Sequence, residues 1–150
     1  MELLEIKKFP DSILRKKCTE IQQISSKEIE IFEGMLFTMR RCAGIGLAAP
    51  QIGIARSLIV AEIGEETIKL ANPKILKAKG IDKLEEGCLS IPGIAVNIER
   101  PDEIVVNGLD ENNQIIEIKA RGLLAKVLQH EIDYLRGRLN HRLYECIGKV

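Results

Sequence analysis

Gln129-His130-Glu131-Ile132-Asp133-Tyr134 closes an apolar segment that begins at Gly122. Leu123, Leu124, Val127, Leu128 and Leu135 recur there at helical spacing, so a helix is predicted over Gly122 to Tyr134 with those residues on its buried side. This helix decides the fold class because of what precedes it. After Gly53 the chain carries β-type runs: Ser57 to Ile63, Thr67 to Ala71, Lys74 to Lys79, Ile94 to Ile98, Glu103 to Leu109 and Gln114 to Lys119. Gly64, Asn72-Pro73 and Asp110-Glu111-Asn112-Asn113 punctuate them. Residues 85–93, with two glycines and a proline, are expected to be irregular.

Further upstream, Phe9-Pro10-Asp11 reads as a turn, and Asp11 or Ser12 caps a short helical stretch reaching Lys17. Ser25 and Ser26 open a longer helix with apolar Ile29, Phe32, Leu36 and Met39, which Ala43-Gly44 ends. Glu28 and Glu30 lie at its positive end and Arg40 and Arg41 at its negative end, as the helix dipole favours. A helix, several strands, then a helix, without interleaving, implies an α+β fold with mainly antiparallel sheets. It does not suit a doubly wound nucleotide-binding fold.

The 150 residues favour one domain spanning 1–150. Twenty-two basic against 22 acidic residues give no net charge, so neither a nucleic-acid nor a membrane partner is expected. No apolar run approaches the roughly 18 residues needed to span a bilayer, and the N-terminus lacks a leader's basic-then-apolar order. A cytoplasmic protein is the expectation. Cys18, Cys42, Cys88 and Cys146 form no CxxC pair and are expected to be reduced. With no Trp and 3% aromatics, the core must be Ile, Leu, Val and Ala.

Three segments could carry chemistry. In helical metallohydrolases, H-E-x-x-H sets two imidazoles at i and i+4, with the Glu as general base. His130 and Glu131 fill the first two places, and Tyr134 stands in the third. A lone His of this kind is more often structural. Cys88, in Glu86-Gly87-Cys88-Leu89-Ser90, would offer a thiolate to zinc or iron, or be a small buried hydrophobe. Gly44-Ile45-Gly46-Leu47-Ala48-Ala49-Pro50-Gln51 allows a backbone to approach closely, and Gln51 is its one side chain able to donate a hydrogen bond. It matches neither a P-loop nor G-x-G-x-x-G.

Together, and in this order, the three resemble the peptide deformylases, which carry G-x-G-L-A-A-x-Q, E-G-C-L-S and Q-H-E-x-D-H. The first two patterns match completely, and the third departs only at Tyr134. Phe9-Pro10-Asp11, Leu14-Arg15-Lys16-Lys17 and Asn72-Pro73 extend the resemblance over most of the chain. It implies removal of the formyl group from the N-terminal formyl-methionine of new polypeptides, with one divalent metal. That metal is ferrous iron by the family's habit, with zinc or nickel as substitutes. Cys88 and His130 would be ligands, and Glu131 the general acid and base. Gln51 and the backbone N–H of Leu89 would hold the oxyanion. Gly44, Ile45 and Gly46 would pair with the substrate backbone. The partners implied are an N-formyl-Met peptide or nascent chain and, transiently, the ribosome.

Tyr134 leaves the third ligand open. The other histidine, His141, would lie roughly 16 Å along a continuous helix from His130, and approaches only if the chain turns back at Gly137. Tyr134 itself would ligate as a phenolate, or pack in the site and leave the position to water. The intact Glu131, Cys88 and Gln51 favour a working hydrolase. The alternative is a catalytically impaired relative that binds peptide N-termini or regulates a partner.

Overall fold

The computed structural model describes residues 2–8, 10–88 and 90–137, with the backbone alone for 84–88, 91, 92 and 94–97. Its architecture is α+β. Helix α1 (Ser26–Arg41) precedes seven strands, β1 (Gly46–Ala48), β2 (Leu58–Ile63), β3 (Glu66–Lys79), β4 (Asp82–Cys88), β5 (Ile91–Arg100), β6 (Glu103–Leu109) and β7 (Ile115–Arg121), and helix α2 (Gly122–Leu135) follows them. Five strands form one sheet in the order β1-β2-β3-β6-β7, and β4 and β5 form a second. Each pairing of named strands is antiparallel.

Strand alternation explains how the larger sheet is sandwiched. Successive side chains of a strand point to opposite faces. Ile59 and Ala61 of β2, Ile104 and Val106 of β6 and Ala120 of β7 therefore share a core with Ala125, Leu128 and Ile132 of α2. Leu58 and Val60 point the other way and bury Phe32, Met35, Leu36 and Met39 of α1. The fully buried side chains are mostly aliphatic or Met, with Phe32 and Tyr134 as the large exceptions. Ser25 starts α1, and its hydroxyl and backbone N–H both donate to Glu28 Oε1, at 2.8 and 3.1 Å. Asp11 accepts from Ile13 N and caps the short 3-10 turn Ser12–Arg15.

Three expectations need correction. Residues 85–93 are largely strand: β4 and β5 pair from Asp82↔Arg100 to Gly87↔Ala95, with a register shift at Cys88. Their glycines and proline suggest loop, but a shifted, two-stranded ribbon accommodates such residues. Asn72-Pro73 does not end a strand either. β3 runs through it, with a register shift against β6 between Ala71 and Lys74. Asn72 takes φ +51 there, and its carboxamide accepts from Ile21 N and donates to Ile21 O, both at 2.8 Å. Finally, Leu123 is not buried but 52% exposed.

The bulge in β3 thus depends on one side chain. Asn72→Ala should lose two hydrogen bonds at about 1 kcal/mol each and add roughly 1 kcal/mol of left-handed backbone cost. Asn72→Gly keeps the backbone freedom and should lose less. Urea unfolding measures both, and variants as stable as the parent would remove Asn72 from this role.

Candidate active site

Helix α2 meets both sheets, and its angular geometry decides which residues each receives. At about 100° per residue, Val127, Glu131 and Tyr134 fall roughly 40–100° to one side of His130, and Lys126, Gln129 and Asp133 roughly 40–100° to the other. The first stripe faces the five-stranded sheet. A Cβ on Gly46 of β1 would lie 2.6 Å from Val127 Cγ1 and 3.2 Å from Glu131 Cγ. Gly46 is therefore required by close approach, and it sets Glu131 against β1. The second stripe grips the base of the β4–β5 ribbon. Lys126 Nζ lies 3.0 Å from Asp82 Oδ2, and Asp133 Oδ2 accepts from Arg100 Nη1 at 3.0 Å. Gln129 Nε2 donates to Pro101 O at 2.9 Å. His130 falls between the stripes, in line with the gap between the two sheets.

Gln51 enters from the other direction. It lies in the 3-10 turn Ala49–Ile52, which Gly53 ends with φ +85. Its Oε1 accepts from Ala48 N at 2.9 Å, which defines the opposite end of the amide as the donor. Nε2 donates to Ser90 Oγ at 3.3 Å. Gly46 therefore touches Glu131, and Gln51 touches Ser90, so the three sequence segments converge although they lie about 40 residues apart in the chain.

Burial marks the same place. Of the buried polar residues described, Glu28, Thr38 and Ser57 lie elsewhere, and Gln51, Ser90, Arg100, Gln129 and Glu131 lie in this region. Glu131 is 2% exposed. Burying such groups is costly unless they are compensated, and clustering them is characteristic of a functional site. Cys18 is a contrast: burial pushes its thiol up to about 11, which makes it an inert core residue.

His130 Nε2 and Glu131 Oε2 are both shielded from solvent. An imidazole nitrogen and a carboxylate oxygen on consecutive residues, closed off from water, suit a cation in chemical type. The third position is different. Tyr134 is 0% exposed and belongs to the main core cluster. Its ring meets that of His130 edge-on, with centroids 5.3 Å apart and planes at 72°. Such a contact is worth about 0.5–1.5 kcal/mol. Tyr134 thus stands four residues after His130 on α2, buried and in ring contact with it. Among the described residues no three His, Cys, Asp or Glu are grouped to hold a metal. Leu89 and His141 lie outside the described residues, as does the Cys88 side chain; the Cys88 backbone ends β4.

Gly44, Ile45 and Gly46 lead into β1, an edge strand of its sheet, and Ile45 is 43% exposed. Sequence reasoning missed Arg100 and Lys126, and gave no role to Ser90, Gln129 and Asp133 although it quoted them. The spacing of Gln129 and Asp133 on one helical stripe was the signal available for the last two.

Comparison with known proteins agrees with this geometry. The family model for polypeptide deformylase matches residues 3–144. This chain belongs to the peptide deformylase family. A peptide deformylase of Thermodesulfovibrio yellowstonii is 46% identical over 144 residues, covering 93% of this chain and 87% of that one. One from Syntrophomonas wolfei is 45% identical over 139 residues, covering 93% and 91%. Among solved structures, the Ehrlichia chaffeensis peptide deformylase in complex with actinonin superposes with a TM-score of 0.92 at 34% identity, covering 99% of this chain and 96% of that one. Deformylases carry a divalent metal, and no helix among the described residues is long and apolar enough to cross a membrane.

The contact at Gly46 has a measurable consequence. Gly46→Ala should destabilise the protein by about 1–3 kcal/mol through overpacking, because Val127 is stiff at χ1. Adding Val127→Ala should recover part of that loss. Thermal unfolding of the single and double variants checks it, and additive losses would show that the two residues are not in contact.

Proposed function

We propose that this chain is a peptide deformylase, a metal-dependent amide hydrolase that removes the formyl group from N-terminal formyl-methionine. The observation that carries the reading is the convergence of Gly46 on Glu131 and Gln51 on Ser90, which brings three distant motifs to one gap. The chain would act as one domain, in the cytoplasm, on an N-formyl-Met peptide or nascent chain, meeting the ribosome transiently.

In this reading the substrate lies extended along the open edge of β1. Gly44, Ile45 and Gly46 supply backbone donors and acceptors, so the peptide is bound as an added strand irrespective of its sequence. The exposed Ile45 side chain faces apolar substrate atoms. As the formyl carbon becomes tetrahedral, its oxygen gains negative charge. The Gln51 carboxamide and the backbone N–H of Leu89 donate to it, and donors fixed in advance cost little reorganisation. Removing one such donor typically costs about 10²–10³ in rate. Ala48 N holds the Gln51 amide in the donating orientation.

Glu131 takes a proton from the attacking water and returns it to the leaving amine, as a carboxylate shuttle. Its shielding from solvent keeps that proton within the site. Cys88 and His130 would hold the metal, expected to be ferrous iron, with zinc or nickel as substitutes. When bound, the ion supplies Lewis acidity and a water able to ionise near neutral pH. If Tyr134 packs rather than ligates, two protein ligands would remain where catalytic sites usually have three. Metal affinity is then expected to be low and turnover reduced.

The deciding experiment measures formate release from a formyl-Met peptide by protein purified without oxygen. The parent should release formate above the level of Glu131→Gln. Tyr134→His should take up more metal and turn over at least ~10-fold faster, since even losing a residue that only supports a ligand costs about 10–100-fold. Silence from both the parent and Tyr134→His would overturn the assignment. Retained peptide binding in that case would point to the non-catalytic alternative.

A further inference from the structure

The β4–β5 ribbon has no strand partner outside itself among the described residues. Two strands alone are marginally stable in water. Where this ribbon stands therefore depends on what it is tied to: Ser90 in its turn accepts from Gln51, and three polar ties meet at its base. Asp82 opens β4 and pairs with Lys126 at 3.0 Å. Arg100 closes β5 and pairs with Asp133 at 3.0 Å. Pro101 O, the next carbonyl, accepts from Gln129 at 2.9 Å. Asp82 and Arg100 are themselves cross-strand neighbours. All three helix partners lie on one stripe of α2.

The ties are unequal. Lys126–Asp82 has a carboxylate side chain 43% exposed, and pairs of that kind contribute little. Arg100 is 9% exposed and Asp133 27%. Ile98, two residues before Arg100 on the same strand face, is 4% exposed. The base of the ribbon is thus seated on the protein through an apolar residue and a largely buried guanidinium. Charge-assisted hydrogen bonds in such settings are the stronger ones, and the planar fork gives direction as well as energy.

We propose that Arg100 and Asp133 are positioning residues: their ion pair, supported by Gln129 and Pro101, locks the ribbon that ends in Cys88 to the helix that carries His130. This rests on the reading of Cys88 and His130 as the two protein ligands. The helix side of the clamp runs along one flank of His130, from Lys126 one turn before it through Gln129 to Asp133 one turn after. Any rocking of the ribbon on α2 therefore changes the separation between β4 and the imidazole. Neither residue needs to touch substrate or metal.

Two measurements test it, on Asp133→Asn, Arg100→Gln and the conservative Arg100→Lys. The first is hydrogen exchange of the metal-free protein. Amides of β4 and β5 should exchange at least tenfold faster in Asp133→Asn and Arg100→Gln, with β2 and β3 unchanged and Arg100→Lys intermediate. The second is Co²⁺ affinity by chelator competition, expected to fall about 10–100-fold in the two neutral variants and to recover partly in Arg100→Lys. Unchanged ribbon exchange, or equal acceleration in β2 and β3, overturns the clamp. Parent and variants that bind Co²⁺ equally tightly overturn the positioning role. If the parent and Tyr134→His both take up no Co²⁺, the reading of the site fails and the positioning role with it, whereas the exchange result still judges the clamp by itself.

Discussion

The pitch of a single α-helix organises this protein. α2 is fourteen residues long and has to satisfy two sheets and a core. Ala125, Leu128, Ile132 and Leu135 point into the core, Val127 and Glu131 face β1, and Lys126, Gln129 and Asp133 hold the ribbon. What is left is a narrow sector, and His130 stands in it. A helix with so many commitments cannot rotate without breaking several at once, so the imidazole's direction is over-determined. Few residues are then needed in the site itself, because the scaffold fixes their geometry.

The close approach at Gly46 works with this constraint. Any side chain there would strike Val127, a β-branched residue with little freedom to yield. Glycine lets β1 come close enough for its neighbours to meet Glu131, while leaving the outer edge of the strand open among the described residues. Gln51 follows on the same piece of chain, after a tight turn, and reaches Ser90 beside the end of β4. The segment Gly44–Gln51 thus spans from the carboxylate side of the gap to the ribbon side. Its small residues serve close approach at one end and its amide serves polarity at the other.

How far this was legible in the sequence follows from where each element's side chains go. β6 and β7 were readable because alternate residues are buried on one face and more exposed on the other. α1 announced itself through Ser25, Glu28 and its apolar spacing. Ile94 to Ile98 was read as a strand and lies within β5, but the rest of the ribbon was missed because Gly87, Pro92 and Gly93 look like loop residues, and its place depends on partners far away in the chain. Arg100 and Asp133 are 33 residues apart, beyond any local pattern. Asn72-Pro73 was misjudged as a break because the stabilising partner of Asn72 is Ile21, 51 residues earlier. Leu123 fits the apolar period of α2, yet it stands in the helix's first turn and is exposed rather than in the core. The site motifs were legible because short-range chemistry fixes their spacing; the ties that hold them in register are tertiary.

In the proposed metal site, position 134 is where packing and coordination would compete for one sector of α2. Burying a tyrosine side chain removes roughly 150–250 Å² from water, worth about 4–6 kcal/mol at 25 cal/mol/Å² as an upper figure. The edge-on contact with His130 adds to this and also restrains the imidazole. A histidine there would give up part of that burial, and it would expose a polar ring to the core unless a cation balanced it. Under the proposed function, a histidine with its metal and the buried Tyr134 ring would be alternative ways to complete the same interior.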